Sequence, residues 1–203
     1  MLSKNELNKQ KKLKSIYSAA VKIFSKNGYY NSKISQIAEQ ANVADGTIYL
    51  YFKNKDDLFI KVFTNLIESK LKYINKELSK EVNSLNKLHR FFELKLELIK
   101  KDKAYTKFFI QEMRQNSLFY TKFPDFKPVS MFVNYLETLI EDCILEGSIR
   151  KVNPHIAAIV IFGSVEFAIT DFVLNKIEFD IQKFKNEMID ILHNGFKKPD
   201  NND

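Results

Sequence analysis

The sequence predicts an all-α fold in which an N-terminal three-helix helix-turn-helix domain precedes a larger helical domain. Only five Gly and four Pro occur among 203 residues, so few positions interrupt a helix. Apolar residues recur three and four positions apart along most of the chain, which is the spacing of an amphipathic helix. Hydrophobic residues make up 45% of the chain and charged residues 28%, which is the balance of a soluble globular protein.

The totals argue against several classes of protein. A single cysteine, Cys143, excludes an intramolecular disulfide framework, and three separated histidines form no metal-binding motif, so we expect no metal and no cofactor. The chain shows no nucleophile–base pair and no glycine-rich phosphate loop, so we expect no enzyme. The N-terminus is polar, and the longest uncharged apolar run, residues 156–165, is too short to cross a bilayer. These features predict a cytoplasmic protein.

The positive charge is concentrated at one end of the chain. Residues 1–55 contain ten Lys and three Asp or Glu and carry a net charge of +7, whereas residues 56–203 contain 22 basic and 22 acidic residues and are neutral. Such a basic segment favours a partner that carries phosphate groups. A basic terminus that only faces solvent is the alternative.

The first predicted helix has apolar residues at helical spacing from Leu13 to Phe24. It ends at Asn27-Gly28, where glycine permits the left-handed backbone that stops a helix. Residues 1–12 are polar, and we expect a frayed extension there. Four lysines in this region either reach into a nucleic-acid groove or face solvent. These lysines are Lys9, Lys11, Lys12 and Lys14.

A helix-turn-helix follows in residues 32–55. One apolar face comprises Ile34, Ile37, Ala38 and Ala41, and the next comprises Val43, Ile48 and Phe52. Asn42 lies between them, where the turn needs a left-handed residue, and asparagine tolerates that conformation. We predict the second helix from about Asp45 to Phe52, and the second helix of such a motif lies in the major groove of DNA.

The motif is more specific than a generic helix-turn-helix. Its signature comprises Gly28-Tyr29, Ile37-Ala38, Val43, Gly46-Thr47-Ile48-Tyr49-Leu50-Tyr51-Phe52, Lys53-Asn54-Lys55 and Leu58. With these residues the chain resembles the TetR family of bacterial repressors, densely over residues 10–65. The string VADGTIYLYFKNK, with the preceding ISQIA, is similar to the FadR-type, acyl-CoA-responsive regulators of fatty-acid degradation in Gram-positive bacteria.

The resemblance implies a DNA-binding surface on the two helices of the motif. Ten residues are expected to form it: Lys33, Ser35, Gln36, Asp45, Gly46, Thr47, Tyr49, Tyr51, Lys53 and Lys55. The first three approach the DNA backbone, and Ser35 or Gln36 also reaches a base edge. Gly46 permits close approach, and Thr47 and Tyr49 contact bases. The last three hold phosphates.

The helix starts depart from the pattern of the family. Lys33 and Ala44 stand where Ser or Thr caps are common. The N-terminus of the first helix of the motif is then capped by Ser32, or else its open amides bind water and phosphate. Asp45 either caps the second helix or accepts a hydrogen bond from a cytosine amino group.

We predict three segments: a helix-turn-helix DNA-binding domain over 1–54, a helical ligand-binding and dimerisation domain over 55–198, and a disordered tail over 199–203. A long amphipathic helix over 55–80 opens the second domain. The resemblance makes this helix the link through which a ligand signal reaches the DNA-binding domain.

The remaining helices of the second domain are marked by their ends. Two prolines predict an irregular stretch over 119–128. The following helix ends at Gly147, and Asn153-Pro154 begins the next, with Asn as N-cap and Pro at the first position. That helix, 154–175, is apolar almost all round, so one side faces the core and the other needs a partner. With the last helix it resembles the seam of a homodimer.

The resemblance also implies a small-molecule pocket in the second domain. The predicted lining comprises Phe91, Phe108, Phe109, Met113, Arg114, Phe132, Tyr135, Leu139, Phe162 and Glu166. Such an aromatic and aliphatic lining suits a long acyl chain or a lipophilic drug. Arg114 is a candidate contact for a coenzyme A phosphate. The carboxylates of Glu112, Glu166 and Asp171 would instead suit a cationic drug.

These features predict a ligand-responsive repressor that binds a palindromic operator of double-stranded DNA as a homodimer. Long-chain fatty acyl-CoA is the expected effector and releases the DNA. The alternative is a sensor of drugs or other small lipophilic molecules that controls an efflux gene. A protein that coats DNA without sequence preference is a further alternative, and no membrane partner is expected.

Overall fold

The computed structural model describes residues 3–101, 106–110, 117–175 and 180–194. In these ranges the regular elements are helices, in agreement with the predicted all-α class. Glu112, Met113 and Arg114 of the predicted ligand site, and the predicted tail over 199–203, lie outside the described residues.

The helices are named in chain order. They are α1 (Lys4–Asn31), α2 (Ile34–Ala41), α3 (Asp45–Tyr49), α4 (Lys55–Leu78), α5 (Ser84–Lys101), α6 (Ser117–Lys122), α7 (Pro128–Leu145), α8 (Pro154–Asn175) and α9 (Ile181–Asn194). Residues 106–110 are also helical.

The chain divides into two compact units. The first unit comprises Met1–Lys70 and Asp102–Val129, and the second comprises Leu71–Lys101 and Ser130–Asp203. Packing thus joins most of α4 and a segment from the middle of the chain to the helix-turn-helix. The predicted boundary after residue 54 follows the sequence motif and stays a prediction.

Helix α1 begins earlier than the sequence suggested. The Ser3 hydroxyl accepts a hydrogen bond from Glu6 N at 3.2 Å, and the Glu6 carboxylate accepts one from Ser3 N at 2.7 Å. This reciprocal capping box stabilises the helix start, so the frayed extension predicted for residues 1–12 is wrong from Lys4 onward. The predicted end is confirmed, because Gly28 has a φ of 73° and interrupts the regular helix before its last turn.

Helices α2 and α3 form the predicted helix-turn-helix. Asn42 adopts the predicted left-handed conformation, with φ 55° and ψ 48°. The backbone N of Val43 donates to the carbonyl five residues earlier at 3.0 Å and closes the end of α2. Helix α3 is shorter than predicted, because the backbone after Tyr49 continues as a turn.

Neither side-chain cap predicted for these two helices forms. The Ser32 hydroxyl donates to Gly28 O at 2.6 Å and thus closes α1 rather than opening α2. Ala44 occupies the N-cap position of α3, and no side chain caps that helix. Asp45 is the first residue of α3, where its exposed carboxylate still lies at the positive end of the helix dipole.

Helix α6 occupies part of the 119–128 segment that the prolines predicted to be irregular. The side chain of Phe119 is 1% exposed, and its ring centroid lies 4.7 Å from that of Phe59 in α4. Packing against this distant ring stabilises the short helix. Pro128 is the first residue of α7, a position where its missing N–H costs nothing.

Two predicted helix boundaries in the second unit are confirmed. Gly147 follows α7 with a φ of 70°, and Ser148 N donates back to the last turn of α7 at 2.9 Å. Helix α8 begins at Pro154, where Ile156 N donates to Asn153 Oδ1 at 2.9 Å. Local chemistry set both boundaries, so the sequence was sufficient to find them.

The window Pro154–Asp171 of α8 is long and apolar enough to cross a membrane, judged by length and composition among the described residues. The run of 156–165 considered in the sequence understated this length. A core or interface helix of a soluble protein meets the same criteria. Only 33% of the window is buried within the chain, so its outer side needs another apolar surface.

Candidate DNA interface and ligand site

The N-terminus of α2 presents backbone donors to solvent. Lys33 N donates to Gln36 Oε1 at 3.0 Å, so the Gln36 side chain satisfies the backbone N–H of the residue before the helix. Among the described residues, the amides of Ile34, Ser35 and Gln36 have no hydrogen-bond partner. The side chains of Lys33 and Ser35 are exposed beside them. Open amides at a helix N-terminus next to an ammonium group suit a phosphate.

Helix α3 exposes the residues predicted to contact bases. Tyr49 is 56% exposed, and Thr47 is half-buried. Ile48 and Phe52 are buried and anchor the helix to the rest of the unit. A Cβ on Gly46 would meet no atom of this chain within 4 Å, so glycine there leaves room for a partner.

Lys53 and Tyr51 lie between α3 and α4. Lys53 N donates to Asp57 Oδ2, and Asp57 N donates to Asn54 Oδ1, both at 2.9 Å. These bonds fix the backbone at the start of α4, while the Lys53 side chain extends into solvent. Tyr51 is half-buried beside it. The phosphate contacts of both residues stay a prediction.

Lys55 contacts backbone carbonyls of its own chain rather than extending into solvent for the predicted phosphate contact. Its ammonium donates to Tyr29 O, Tyr30 O and Ser32 O at 3.0, 3.2 and 3.0 Å. It also lies 4.5 Å from the centroid of the Tyr29 ring. Burial lowers the pKa of Lys55 from its usual value. Because an ammonium has three N–H donors, this one is fully used in holding the end of α1 against α4.

A polar network beside the helix-turn-helix was not predicted. The Tyr29 hydroxyl donates to the Asp56 carboxylate, and the Lys122 ammonium lies 2.7 Å from Asp56 Oδ2. The Tyr29 ring also packs 4.9 Å, between centroids, from Phe59 and from Phe119. The end of α1, the start of α4 and α6 are therefore joined. Only the tyrosine of the family signature hinted at this contact.

The predicted ligand residues are divided between the two units. Phe108 and Phe109 belong to the first unit, where their ring centroids lie 5.2 and 5.5 Å from that of Phe63. Both are buried. They complete the aromatic core that packs against α4.

The other described ligand residues lie in the second unit and pack in two pairs. The ring centroids of Phe91 and Tyr135 are 6.0 Å apart, as are those of Phe132 and Phe162. Burial raises the pKa of Tyr135, whose hydroxyl donates to an α4 side chain at 3.0 Å. Leu139 is buried as well.

The carboxylate of Glu166 is already neutralised within the second unit. Lys95 Nζ lies 2.8 Å from Glu166 Oε1, and the two side chains are only 11% and 17% exposed. The same ammonium lies 4.3 Å from the centroid of Phe132 and 5.2 Å from that of Phe162. Sequence reasoning missed Lys95, because its partner is 71 residues away.

An open apolar groove lies elsewhere in the second unit. It has a volume of about 490 Å³ and is formed by α5, α7, the loop after α7, α8 and α9. Its apolar lining includes Leu88, Phe92, Ile140 and Ile161, and Arg150 lies at its edge. None of the predicted ligand residues that the structure describes is part of this lining, although Phe91, Leu139 and Phe162 each adjoin a lining residue in the sequence. We call this space the apolar groove.

Helices α8 and α9 also present apolar side chains to solvent. This outer apolar face comprises Ile156, Ile159, Val160, Phe167 and Leu192, which are 39–65% exposed. Of these, Ile156, Val160 and Leu192 also line the apolar groove. Gly163 and Ser164 are exposed on the same helix. A cluster of exposed apolar side chains marks an interaction surface, and the sequence predicted a dimer seam on these helices.

A helix-turn-helix with an exposed second helix, on the basic segment of a chain whose second unit is helical and apolar, defines a DNA-binding transcriptional regulator. The chain belongs to the tetR family of bacterial regulatory proteins, whose model matches residues 16–62. A second model, for the C-terminal region of YsiA-like proteins, matches residues 63–195.

The similarity to individual proteins extends over nearly the whole chain. The fatty acid metabolism regulator protein of Bacillus subtilis is 30% identical over 188 residues, which cover 92% of this chain and 96% of that protein. The crystal structure of FadR from Bacillus subtilis in complex with stearoyl-CoA is similar with a TM-score of 0.80 and 29% identity, covering 90% of this chain and 98% of that one. FadR from Bacillus halodurans gives a TM-score of 0.81 at 25% identity, covering 91% and 99%.

Proposed function

We propose that this protein is a homodimeric repressor that binds a palindromic operator and is released by a long-chain fatty acyl-CoA. The observation that carries the proposal is the full-length similarity to a FadR whose structure holds stearoyl-CoA. That similarity includes the second unit, where a regulator of this family binds its effector. The same membership supports a regulatory role.

The proposed DNA contacts follow the exposed side chains of the helix-turn-helix. The open amides of α2, with Lys33 and Ser35, bind a phosphate, and Gln36 offers its amide N–H groups to DNA. Thr47 and Tyr49 contact base edges, and the exposed carboxylate of Asp45 accepts a hydrogen bond from a cytosine amino group. Tyr51 and Lys53 hold phosphates, and Gly46 permits close approach. Lys55 instead positions the end of α1.

The part of the outer apolar face that lies outside the apolar groove, Ile159 and Phe167, supplies the proposed dimer contact. Two copies that bury these faces against each other would remove the exposed apolar surface of Phe167 and its neighbours. A two-fold dimer also matches a palindromic operator, since each recognition helix then reads one half-site.

We place the acyl chain in the apolar groove. Its volume of about 490 Å³ lies within the usual range of ligand pockets. Arg150 at the edge offers two parallel donors to a coenzyme A phosphate. The region of Phe132 and Phe162, which the sequence favoured, is occupied by packed side chains, among them that of Lys95. It is the second choice within the same unit.

Ligand specificity tests the proposal. Thermal unfolding is measured with stearoyl-CoA, free coenzyme A, stearate and a lipophilic cationic dye. Saturation at about 100 times the dissociation constant stabilises the fold by about 2.7 kcal/mol, which raises the midpoint by about 5–10 °C for a chain of this size. We expect a shift with stearoyl-CoA that also releases operator DNA in fluorescence anisotropy. A shift with the dye alone would contradict the proposal.

The location of the ligand is tested by two neighbouring substitutions of equal charge change. Arg150→Gln removes the proposed phosphate contact and should weaken stearoyl-CoA binding about 10-fold or more, given about 1.5–3 kcal/mol for a charged hydrogen bond. Lys151→Gln, which leaves the groove intact, should bind as the unchanged protein does. Equal affinity of both variants would move the site to the region of Lys95.

The drug-sensor alternative is less well supported at Glu166 than the sequence suggested, and Glu112 lies outside the described residues. It relied on buried carboxylates that would bind a cation, but Lys95 already neutralises Glu166. Asp171 also has an interaction partner.

A further inference from the structure

Helix α1 carries a basic recess on the surface of the first unit. The recess has a volume of about 400 Å³ and is lined by Lys11, Lys14, Ser15, Ser18, Ala19, Lys22 and Gln40. Apart from Ala19, these residues are exposed. Three ammonium groups, two hydroxyls and one amide thus surround a space without a carboxylate. We call it the basic recess.

The charge of the recess is not compensated within the described residues. Helix α1 contains seven Lys and one acidic residue, Glu6. Glu6 is used in the capping box with Ser3 at the start of the helix. In the described part of the chain, the ammonium groups of Lys11, Lys14 and Lys22 make no hydrogen bond or ion pair. Three unpaired like charges repel one another, and an anionic partner removes that cost.

The recess borders the helix-turn-helix. The Ser15 hydroxyl donates to Ala41 O, the last carbonyl of α2, at 3.0 Å. The ring centroid of Tyr17 lies 5.9 Å from that of Phe52, just beyond α3. These contacts hold the basic side of α1 in a defined position next to the turn between the two motif helices. The capping box at Ser3 keeps the N-terminal half of α1 helical.

The length of the recess decides the class of anion. Lys11 and Lys22 are eleven residues apart, which corresponds to about 16 Å along a helix. This distance exceeds the size of one phosphate group but matches several successive phosphates of a DNA strand, spaced about 3.4 Å along the axis. The family model begins only at residue 16, so Lys11 and Lys14 lie on helical turns that precede the shared motif.

We propose that the basic recess binds the phosphate backbone of the operator outside the base pairs that α3 contacts. The inference rests on the proposed operator binding and extends the footprint of each subunit. Lys11, Lys14 and Lys22 supply electrostatic affinity that is independent of base sequence. Ser18 and Gln40 supply neutral donors around them, while the Ser15 hydroxyl stays bonded to Ala41 O.

The experiment measures operator affinity against salt concentration for Lys11→Gln/Lys14→Gln/Lys22→Gln. The control, Lys76→Gln/Lys101→Gln/Lys151→Gln, changes the charge equally at exposed lysines of the second unit. Each phosphate contact contributes about 0.9 to the slope of log affinity against log salt. A dimer carries two recesses, so we expect the recess variant to lower the slope by at least about 2. Between 50 and 200 mM salt this fall amounts to about 16-fold in relative affinity.

A second comparison uses duplex length. Removing the outer base pairs of the operator should weaken the unchanged protein and the control but leave the recess variant unaffected. If the slope of log affinity against log salt were equal for the unchanged protein, the recess variant and the control, the proposed phosphate contact of the basic recess would be wrong. Operator binding by all three proteins would still support the proposed repressor. No operator binding by the unchanged protein would overturn the proposed function itself. Circular dichroism confirms that both triple variants are folded.

Discussion

The two units of this protein use their side chains in opposite ways. In the first unit, packing and binding are assigned to different residues: Ile48 and Phe52 are buried, whereas Tyr49 between them is 56% exposed. In the second unit, the same helix α8 both fills the core through Val165 and presents Phe167 to solvent at 65% exposure. The second unit therefore depends on surfaces that another molecule covers.

The contacts beside the helix-turn-helix differ from those around the predicted ligand site. Beside the motif, local capping contacts fix the backbone, as between Lys53 and Asp57, which are four positions apart. At the predicted ligand site, the ion pair between Lys95 and Glu166 spans 71 residues. A local motif can be recognised without knowing the fold, and a long-range contact cannot. This difference explains why the sequence predicted the turn at Asn42 but missed the partner of Glu166.

The largest expected effect tests the packing role in the first unit. Phe59 is fully buried, and its ring centroid lies 4.7 Å from Phe119 and 5.3 Å from Phe24. Phe59→Ala leaves a cavity at this junction and should lower the free energy of unfolding by about 3–5 kcal/mol. Denaturant unfolding measures it. Tyr49→Ala, an exposed aromatic in the same unit, is the matched control and should stay within about 0.5 kcal/mol.

A substitution of Lys55 should lower both the stability of the first unit and its affinity for DNA. Lys55→Met removes three hydrogen bonds to the end of α1, which should lower stability by about 1.5–3 kcal/mol. Operator affinity should fall as well, because the end of α1 supports the start of α2. Both quantities are measured on the same preparation by unfolding and by fluorescence anisotropy.

Lys53→Met provides the contrast to this variant. It should leave stability unchanged and lower the salt slope of DNA binding by about 0.9 for each phosphate that the side chain no longer neutralises. If Lys55→Met instead left stability intact and changed only the slope, Lys55 would be a phosphate contact, as the sequence first implied.

Particular residues show which features of the structure could be predicted from the sequence. Asn42, Gly28, Gly147 and Asn153 were predicted correctly because each acts on its immediate neighbours. Helix α6 was missed because Phe119 is held by Phe59, which is 60 positions earlier in the chain. The apolar groove was missed because four helices and a loop form it together. Lys55 was misassigned because its carbonyl partners lie more than 20 positions upstream.

The binding role in the first unit is tested by the same Tyr49→Ala variant. We expect a loss of about 1–3 kcal/mol in discrimination between the operator and unrelated DNA, since Tyr49 is proposed to contact a base edge. Competition binding with operator and random duplexes measures the ratio. Equal losses on both duplexes would assign Tyr49 to the backbone and leave Thr47 as the base contact.

The smallest effect concerns the joint between α5 and α7 in the second unit. Hydrogen bonds from the Ser84 hydroxyl and from Ser84 N, at 2.7 and 2.9 Å, lower the pKa of Glu146. A carboxyl with a lowered pKa in the folded state stabilises that state above its unfolded pKa, and the contribution disappears as the pH falls through the folded pKa.

We therefore expect Glu146→Gln to be slightly less stable than the unchanged protein at pH 7, and the difference to shrink at an acidic pH as Glu146 becomes protonated. Paired denaturant titrations at the two pH values measure the difference, and Ser84→Ala should show the same convergence. If the difference in free energy of unfolding between the two proteins persisted at acidic pH, the shape of the Glu146 side chain, rather than its charge, would hold α5 to α7. The second unit would then be held at this joint by packing, as the first unit is at Phe59.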